Sequence, residues 1–383
     1  MNKKNFIAFL MIFLDSVSFS FLLPILPLII KDLGGSAFIT GFINSSAAIG
    51  MFIGGIYFGR ISDRFGRKKI ILFTFILNIL GYLVFGLTES ILMFFIARLL
   101  NGLGGGGVAV IQAYISDNTE EKDKVEIFGN IGLVIGGGFI TGIAISPLLG
   151  GLHTSYIGII SSIIMTIALA IGIFFLHEPE KHIHLENKRF NKDKIRKSHL
   201  LIIFATYMIL NITLSSIQTI FPLLLNERFG LDKTSTGLIF GYFGLASVVY
   251  IFVFIKRAEK LLKEDGLIIS GLLILGVSVV IGYYYCKNIP SLLLLMTLIV
   301  IGFNNINSAV FSVISKKIHK SNLGYIFGIN ASFGSLGNII GPLVAGITYI
   351  QHPQITFLAL GFLLVINGFI FIYKEFFKKG LDF

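Results

Sequence analysis

Two charged residues stand where a water-soluble protein would not put them. Asp15 lies about ten residues into the first long apolar run, roughly 15 Å deep at a helical rise of 1.5 Å per residue. The nineteen other carboxylates fall in polar segments or near the ends of apolar runs. A carboxyl group at mid-bilayer depth is costly and is a functional hypothesis by default. Because burial penalises a bare charge, such a group is suited to load and release a proton. The plainer reading is an aspartate permanently paired with a neighbour. Arg98 is the one basic residue inside an apolar run. It enters the fourth run from the opposite side, so its depth is comparable to that of Asp15. An uncompensated arginine there is expensive, so it is expected to face a polar cavity. An ion pair or water-bridged pair with Asp15 is the expectation, made in one conformation and broken in the other; the alternative is a static bridge.

Three further groups of residues carry chemistry or mechanics. The segment GRISDRFGRKK, Gly59 to Lys69, joins the second and third runs. Gly59 and Gly66 permit a tight turn. Asp63 can cap a neighbouring helix N-terminus. Arg67 can pair with a carboxylate such as Asp117, and Arg64 and Lys68 complete a basic cluster. Such contacts would latch one conformation shut; the alternative is a basic cluster that only sets topology. In GIAISPLLGG, Gly142, Ser146, Pro147, Gly150 and Gly151 give the fifth run a small-residue face and a proline. Small residues allow close helix approach, and proline bends a helix. That suits a pivoting helix, and equally ordinary packing. Gln112, Asn211, Gln218, Asn304, Asn305 and Asn307 are polar residues in apolar runs, which line a substrate cavity or glue helices together.

The elements that must position these residues are membrane helices. The chain of 383 residues is 55% hydrophobic and only 13% charged, about half the charged share of a soluble domain. Runs of about 20 apolar residues recur along it, and only helices satisfy their own backbone without water. Spans are predicted near 5–30, 39–58, 70–87, 92–115, 126–149, 155–176, 199–225, 235–255, 267–285, 291–314, 324–350 and 355–373. The class is therefore an all-α membrane protein of twelve transmembrane helices. On the face shared by the termini lie 26 lysines and arginines, against 4 on the other, which puts both termini in the cytoplasm of a cell-membrane protein.

The long polar stretch 177–198 divides the chain into six-helix bundles, 1–176 and 199–383. The bundles read as repeats. Pro27 precedes Gly34 and Gly41 as Pro222 precedes Gly230 and Gly237, and Gly142-x4-Pro147-x3-Gly151 matches Gly337-x4-Pro342-x3-Gly346. Both proline pairs are 195 residues apart, so two pseudo-symmetric bundles with a ligand site at their interface are expected.

Composition also excludes several classes. The net charge of +11 is spread in short clusters between spans, with no basic domain for a nucleic acid. One cysteine, Cys286, forms no intramolecular disulfide. His177, His182 and His184 lack the spacing of a metal site and read as part of a solvated linker, so no metal and no cofactor are expected. The first run is too long, and carries Asp15 and two prolines, to be a signal peptide. No nucleophile–base constellation lies in the spans, so an enzyme is not expected.

These motifs resemble the major facilitator superfamily. GRISDRFGRKK is similar to its loop signature G-x-x-x-D-R-x-G-R-[RK], and FFIARLLNGLGGGG to its fourth-span arginine–glycine motif. GIAISPLLGG is similar to the fifth-span antiporter signature, with Ser146 where glycine is usual. FLDSVSFSFLLPILP and NERFG resemble tetracycline–proton antiporters, and the whole pattern resembles Gram-positive multidrug exporters. The resemblance implies a monomeric carrier that exports small amphipathic molecules in exchange for protons. Gln218 and Asn304 stand where some members carry coupling carboxylates, which shifts coupling onto Asp15. The rival expectation is a facilitator for a sugar, peptide, siderophore or lipid, working as a symporter or uniporter.

Overall fold

The computed structural model describes residues 3–120, 124–179, 197–318 and 323–379. Among them every regular element is a helix. The first six spans run through α1 (Lys3–Ser20), α2 (Leu26–Asp32), α3 (Ala37–Phe65), α4 (Arg67–Leu87), α5 (Ile91–Gly105), α6 (Gly107–Asp117), α7 (Lys124–Gly150) and α8 (Thr154–Phe175). Then come α9 (Lys197–Phe229), α10 (Lys233–Val249), a π-helical turn at Tyr250–Phe254, α11 (Ile255–Tyr285), α12 (Ile289–Lys317), α13 (Leu323–Gln351) and α14 (Pro353–Lys379).

Ten stretches of the described residues are long and apolar enough to cross a bilayer. One of them, Lys233–Tyr285, is 53 residues long and is kinked at Lys263, whose φ of 54° is non-helical; two helices meet there, and the stretch is long enough for two spans. The first span is α1 and α2 together. Twelve spans result, in an all-α fold. Burial is sorted in the membrane sense: Ser18, Ser20, Thr40, Ser46, Thr74, Asn78 and Arg98 are buried, whereas Leu148, Leu87 and Phe174 project outward. In lipid, exposed apolar side chains carry no penalty and polar ones must turn inward.

The interruptions have local causes. Pro24 lacks an N–H and its ring clashes with the carbonyl four residues back, which is Ser20, the last residue of α1. Pro27 then occupies the first turn of α2, where a missing N–H costs nothing. Ser36 caps α3 by accepting the Ile39 N–H, and Asn288 with Ser291 forms a capping box on α12. Asp232 accepts the Ser235 N–H at 2.8 Å ahead of α10, and hydrogen bonds from the Ser235 side chain and backbone hold its carboxyl below the ordinary value.

Two segments read as loops are helical. Gly59 to Phe65 is the end of α3, and Arg67 already begins α4, so the joint is the single residue Gly66 at φ 101°. Likewise 256–266, read as a basic loop, lies within α11 and is broken only at Lys263. Charge ends the membrane-buried part of a helix, not the helix; only a backbone departure does that. In the linker, His182 and His184 lie outside the described residues.

The chain forms two compact units, Met1–Lys188 with Gln218–Gly241, and Arg189–Ile217 with Tyr242–Phe383. In the first, α1 packs on α7 and α8, α3 on α5, and α4 on α5 and α8. In the second, α11 packs on α12 and α14.

Candidate functional site

Asp15 is the thirteenth residue of α1 and only partly covered. Its Oδ1 accepts a 2.8 Å hydrogen bond from Asn78 Nδ2 on α4. Asn101 on α5 donates to the backbone carbonyl of Asn78 at 3.0 Å, tying α5 to the same point. The two amides fit because their neighbours are glycine. A Cβ on Gly104 would stand 2.3 Å from Asn78 Oδ1, and one on Gly81 would stand 2.5 Å from Asn101 Nδ2. Three helices are thus drawn together around one carboxylate, held by a neutral donor.

Arg98, on α5, is 1% exposed. Its Nη2 makes a long 3.5 Å hydrogen bond to Asn44 Oδ1 on α3, and Asn44 Nδ2 donates to Thr219 Oγ1 on α9 at 3.2 Å. The Phe19 ring of α1 stands over the guanidinium, 5.1 Å from its carbon to the ring centroid. Nε and Nη1 are buried with no hydrogen-bond partner. No ion pair joins Arg98 to Asp15 in this structure: the carboxylate faces Asn78, and the guanidinium faces Asn44 and Phe19.

At the α3–α4 joint, Arg67 gathers three partners. Nη1 lies 2.7 Å from Asp63 Oδ1 and donates to Ser62 Oγ at 2.6 Å, while Nε lies 2.9 Å from Asp117 Oδ2 at the end of α6. Arg64 is exposed, and a Cβ on Gly59 would meet nothing within 4 Å. The α4 N-terminus is capped by Glu178, whose carboxylate accepts the backbone N–H groups of Arg67 and, at 3.0 Å, Lys68. Lys68 Nζ donates in turn to the Ile173 carbonyl at 2.8 Å. Asp63, expected as a cap, pairs with Arg67 instead. A Cβ on Gly66 would meet the Glu178 carboxylate at 3.0 Å, so glycine serves there both for its φ and for space. A carboxylate on two free N–H groups at a helix N-terminus is a strong cap. Replacing Glu178 with alanine is expected to cost about 0.5–2 kcal/mol, read as a lower thermal unfolding midpoint; an unchanged midpoint would contradict the capping role.

The fifth-span segment packs tightly on both sides. A Cβ on Gly142 would stand 2.1 Å from Ser20 Oγ on α1, and one on Gly150 would stand 2.7 Å from the Thr234 backbone nitrogen on α10. Pro147 borders Gly237, Gly151 lies beside Thr234, and Ser146 Oγ is buried without a partner. At the same end, Lys31 Nζ donates to Asn226 Oδ1 at 2.8 Å and pairs with Glu227 at 3.4 Å, and Lys233 pairs with Asp32 at 2.6 Å. Lys31 and Asn226 are 195 residues apart, the same offset as Pro27 and Pro222.

The polar residues expected to line a cavity are divided between the two units. Gln112 and Gln218 belong to the first unit; Asn211, Asn304, Asn305 and Asn307 belong to the second. Asn211 donates to the Tyr207 carbonyl, Asn304 to Val300 and Ser247, and Asn305 accepts from Tyr250. Sequence reasoning missed Asn44, Asn78, Asn101 and Glu178. The first three carry the same signal as the six amides it did select: a polar side chain in an apolar span. Among the described residues no cluster of histidine, cysteine and carboxylate fits a metal ion.

Comparison with known proteins adds the context for this geometry. A family model described as Major Facilitator Superfamily matches residues 8–264 and 201–380. Multidrug resistance protein 2 of Bacillus subtilis (strain 168) is 27% identical over 379 residues, covering 95% of this chain and 93% of that protein. Quinolone resistance protein NorA of Staphylococcus aureus (strain MSSA476) is 24% identical, with 92% of each chain covered. Among solved structures, the nucleoside transporter NupG superposes with a TM-score of 0.77 at 15% identity, over 97% of this chain and 99% of its own. The human organic anion transporter MFSD10 (TETRAN) does so with a TM-score of 0.72 at 20% identity, over 96% and 99%.

Proposed function

Because the chain belongs to the Major Facilitator Superfamily, and is thus a multi-pass membrane transporter of small molecules rather than an enzyme, we propose that it exports small amphipathic, drug-like compounds from the cell in exchange for protons. The observation that carries the reading is Asp15, a carboxylate within a span, held by the neutral amide of Asn78 rather than by a cation. The names of the relatives, multidrug and quinolone resistance proteins, favour drugs as cargo.

The working unit is a monomer of two six-helix bundles, 1–176 and 199–383, joined by the linker 177–198, with both termini in the cytoplasm. Substrate enters from the cytoplasmic side while Asp15 is deprotonated. After the carrier opens outward, protonation of Asp15 favours release. The protonated carrier, its buried charge neutralised, resets and delivers the proton inside. Arg98, parted from Asp15 here, approaches it in the other conformation and helps to dislodge the proton. Proton and substrate must antagonise one another, and that antagonism is reciprocal. Arg67 with Asp63 and Asp117 forms the cytoplasmic latch, beside Gly59, Arg64, Gly66 and Lys68. The Gly142–Gly151 helix is the pivot. Gln112, Asn211, Gln218, Asn304 and Asn307 contribute to the cavity.

The test is ethidium movement in proteoliposomes under an imposed proton gradient. Accumulation should follow the gradient, reverse with it and vanish with a protonophore. Gradient-independent movement would replace the reading with a uniporter, and movement along with protons would replace it with a symporter. With this orientation, Lys31–Asn226 and Asp32–Lys233 close the outer ends of the first, seventh and eighth spans. Lys31→Cys with Asn226→Cys, joined by a short bis-methanethiosulfonate reagent whose disulfide links can be reduced, is therefore expected to stop transport until the link is reduced. Undiminished transport by fully linked protein would remove the pair from the gate.

A further inference from the structure

Arg98 is more than a partner for Asp15. Guanidinium offers five N–H donors in a rigid fork. Here one nitrogen makes a single long bond to Asn44, and Nε and Nη1 make none. No carboxylate pairs with the group among the described residues; the Phe19 ring stands over it, and the Tyr82 phenol is close enough to feel its charge without accepting a hydrogen bond from Nε or Nη1. A neutral amide and an aromatic face compensate a buried cation weakly. Asn44 is itself fixed by Thr219, so it is not free to turn more of its oxygen toward the arginine. The fold has therefore built a desolvated cation and left most of its donors unused.

The cover over this cation is placed where a ligand would displace it. Phe19 is four residues after Asp15, so the two share one face of α1, about 6 Å apart along its axis. Phe19 and Asn44 are both partly exposed, although Arg98 is not. A molecule that reaches Asp15 along this face of α1 also reaches Phe19, the lid on the guanidinium.

We propose that Arg98 binds the anionic group of the transported molecule, so that the preferred cargo is an amphipathic compound carrying a carboxylate, zwitterions included. A carboxylate is the group that two parallel N–H donors of a guanidinium accept best, and the charge-assisted pair is strong in a site without water. In a zwitterion the cationic end falls to Asp15, so cargo and proton still compete. The inference rests on the export reading above, because it assigns the class of that cargo.

The experiment uses the full-length protein in detergent with nalidixic acid, a quinolone carboxylate, and its ethyl ester, and ethidium as an independent ligand. The chain contains no tryptophan, so ligand fluorescence is read without indole background. The parent protein is expected to bind the acid at least about tenfold more tightly than the ester, as one charge-assisted contact would supply. In Arg98→Gln, checked for a monodisperse elution profile, that preference is expected to vanish. Equal binding of acid and ester by the parent overturns the proposal whether or not the variant folds. Equal weakening of both by a folded Arg98→Gln overturns it too, and makes Arg98 structural. Displacement of the acid by millimolar chloride would assign the site to an inorganic anion instead. Ethidium binding without acid binding sinks this inference and leaves the export reading standing; binding of neither sinks both.

Discussion

Asp15→Asn is expected to abolish proton-driven efflux while leaving a folded protein that still binds its substrate. Asparagine has the size and shape of aspartate, and its side-chain oxygen still accepts the hydrogen bond from Asn78, so the contact between α1 and α4 survives. What is lost is the second protonation state. On the proposed exchange, the deprotonated form of the parent protein binds substrate and the protonated form releases it, so affinity should rise with pH. Coupling between two ligands of one protein is typically about 5- to 150-fold, and that is the span expected between the acid and alkaline limits. In Asp15→Asn the affinity should be flat with pH. Titrating ethidium against both proteins at several pH values reads this directly. A pH dependence that persists in the variant would move the coupling to another group.

Gly102→Ala is expected to damage the fold, and the site with it. Gly102 lies in α5 at its crossing with α3, where an added Cβ would stand 2.1 Å from the Ala47 carbonyl oxygen. The next nearest atoms are also Ala47 backbone, at 2.8 and 2.9 Å, so no flexible side chain can move aside. The same crossing uses Gly50, whose Cβ would meet the Leu99 carbonyl at 2.6 Å, and the same distance separates a Cβ on Gly54 from the Leu103 carbonyl. Small residues at this spacing are how membrane helices approach closely without a hydrophobic driving force. Forcing a methyl into such a contact costs about 1–3 kcal/mol. It also separates Asn44 on α3 from Arg98 on α5, because the crossing positions both. Gly136→Ala is the control, since a Cβ there meets nothing within 4 Å. It should be neutral or gain up to about 1 kcal/mol from helix propensity. Thermal unfolding midpoints of the two variants separate the cases, and equal midpoints would show that the α3–α5 approach is looser than described.

Much of the fold was legible because one property, an apolar run long enough to span a bilayer, sets each element. The twelve spans and the all-α class follow from it. The helix ends did not, because hydropathy reports where lipid stops and not where hydrogen bonding stops. Hence 59–65 and 256–262 read as loops although α3 and α11 run through them. The Lys31–Asn226 contact was not legible, although the two residues are 195 apart like Pro27 and Pro222, because a spacing in sequence does not show which side chains meet. Asp15 and Arg98 stood out as charges in lipid, since nothing else in an apolar span looks like them. Asn78, which holds Asp15, did not stand out among more than half a dozen similar amides. Glu178 read as the first acid of a linker, because nothing local to it shows that the free N–H groups of α4 lie beside it.

The most direct test of proton exchange at Asp15 is proton release from weakly buffered, detergent-solubilised protein when ethidium is added near neutral pH. The parent protein should release protons in proportion to the ligand bound, and Asp15→Asn should bind ethidium and release none. Binding by the parent with no proton release would contradict exchange and leave a carrier that moves its cargo without proton competition.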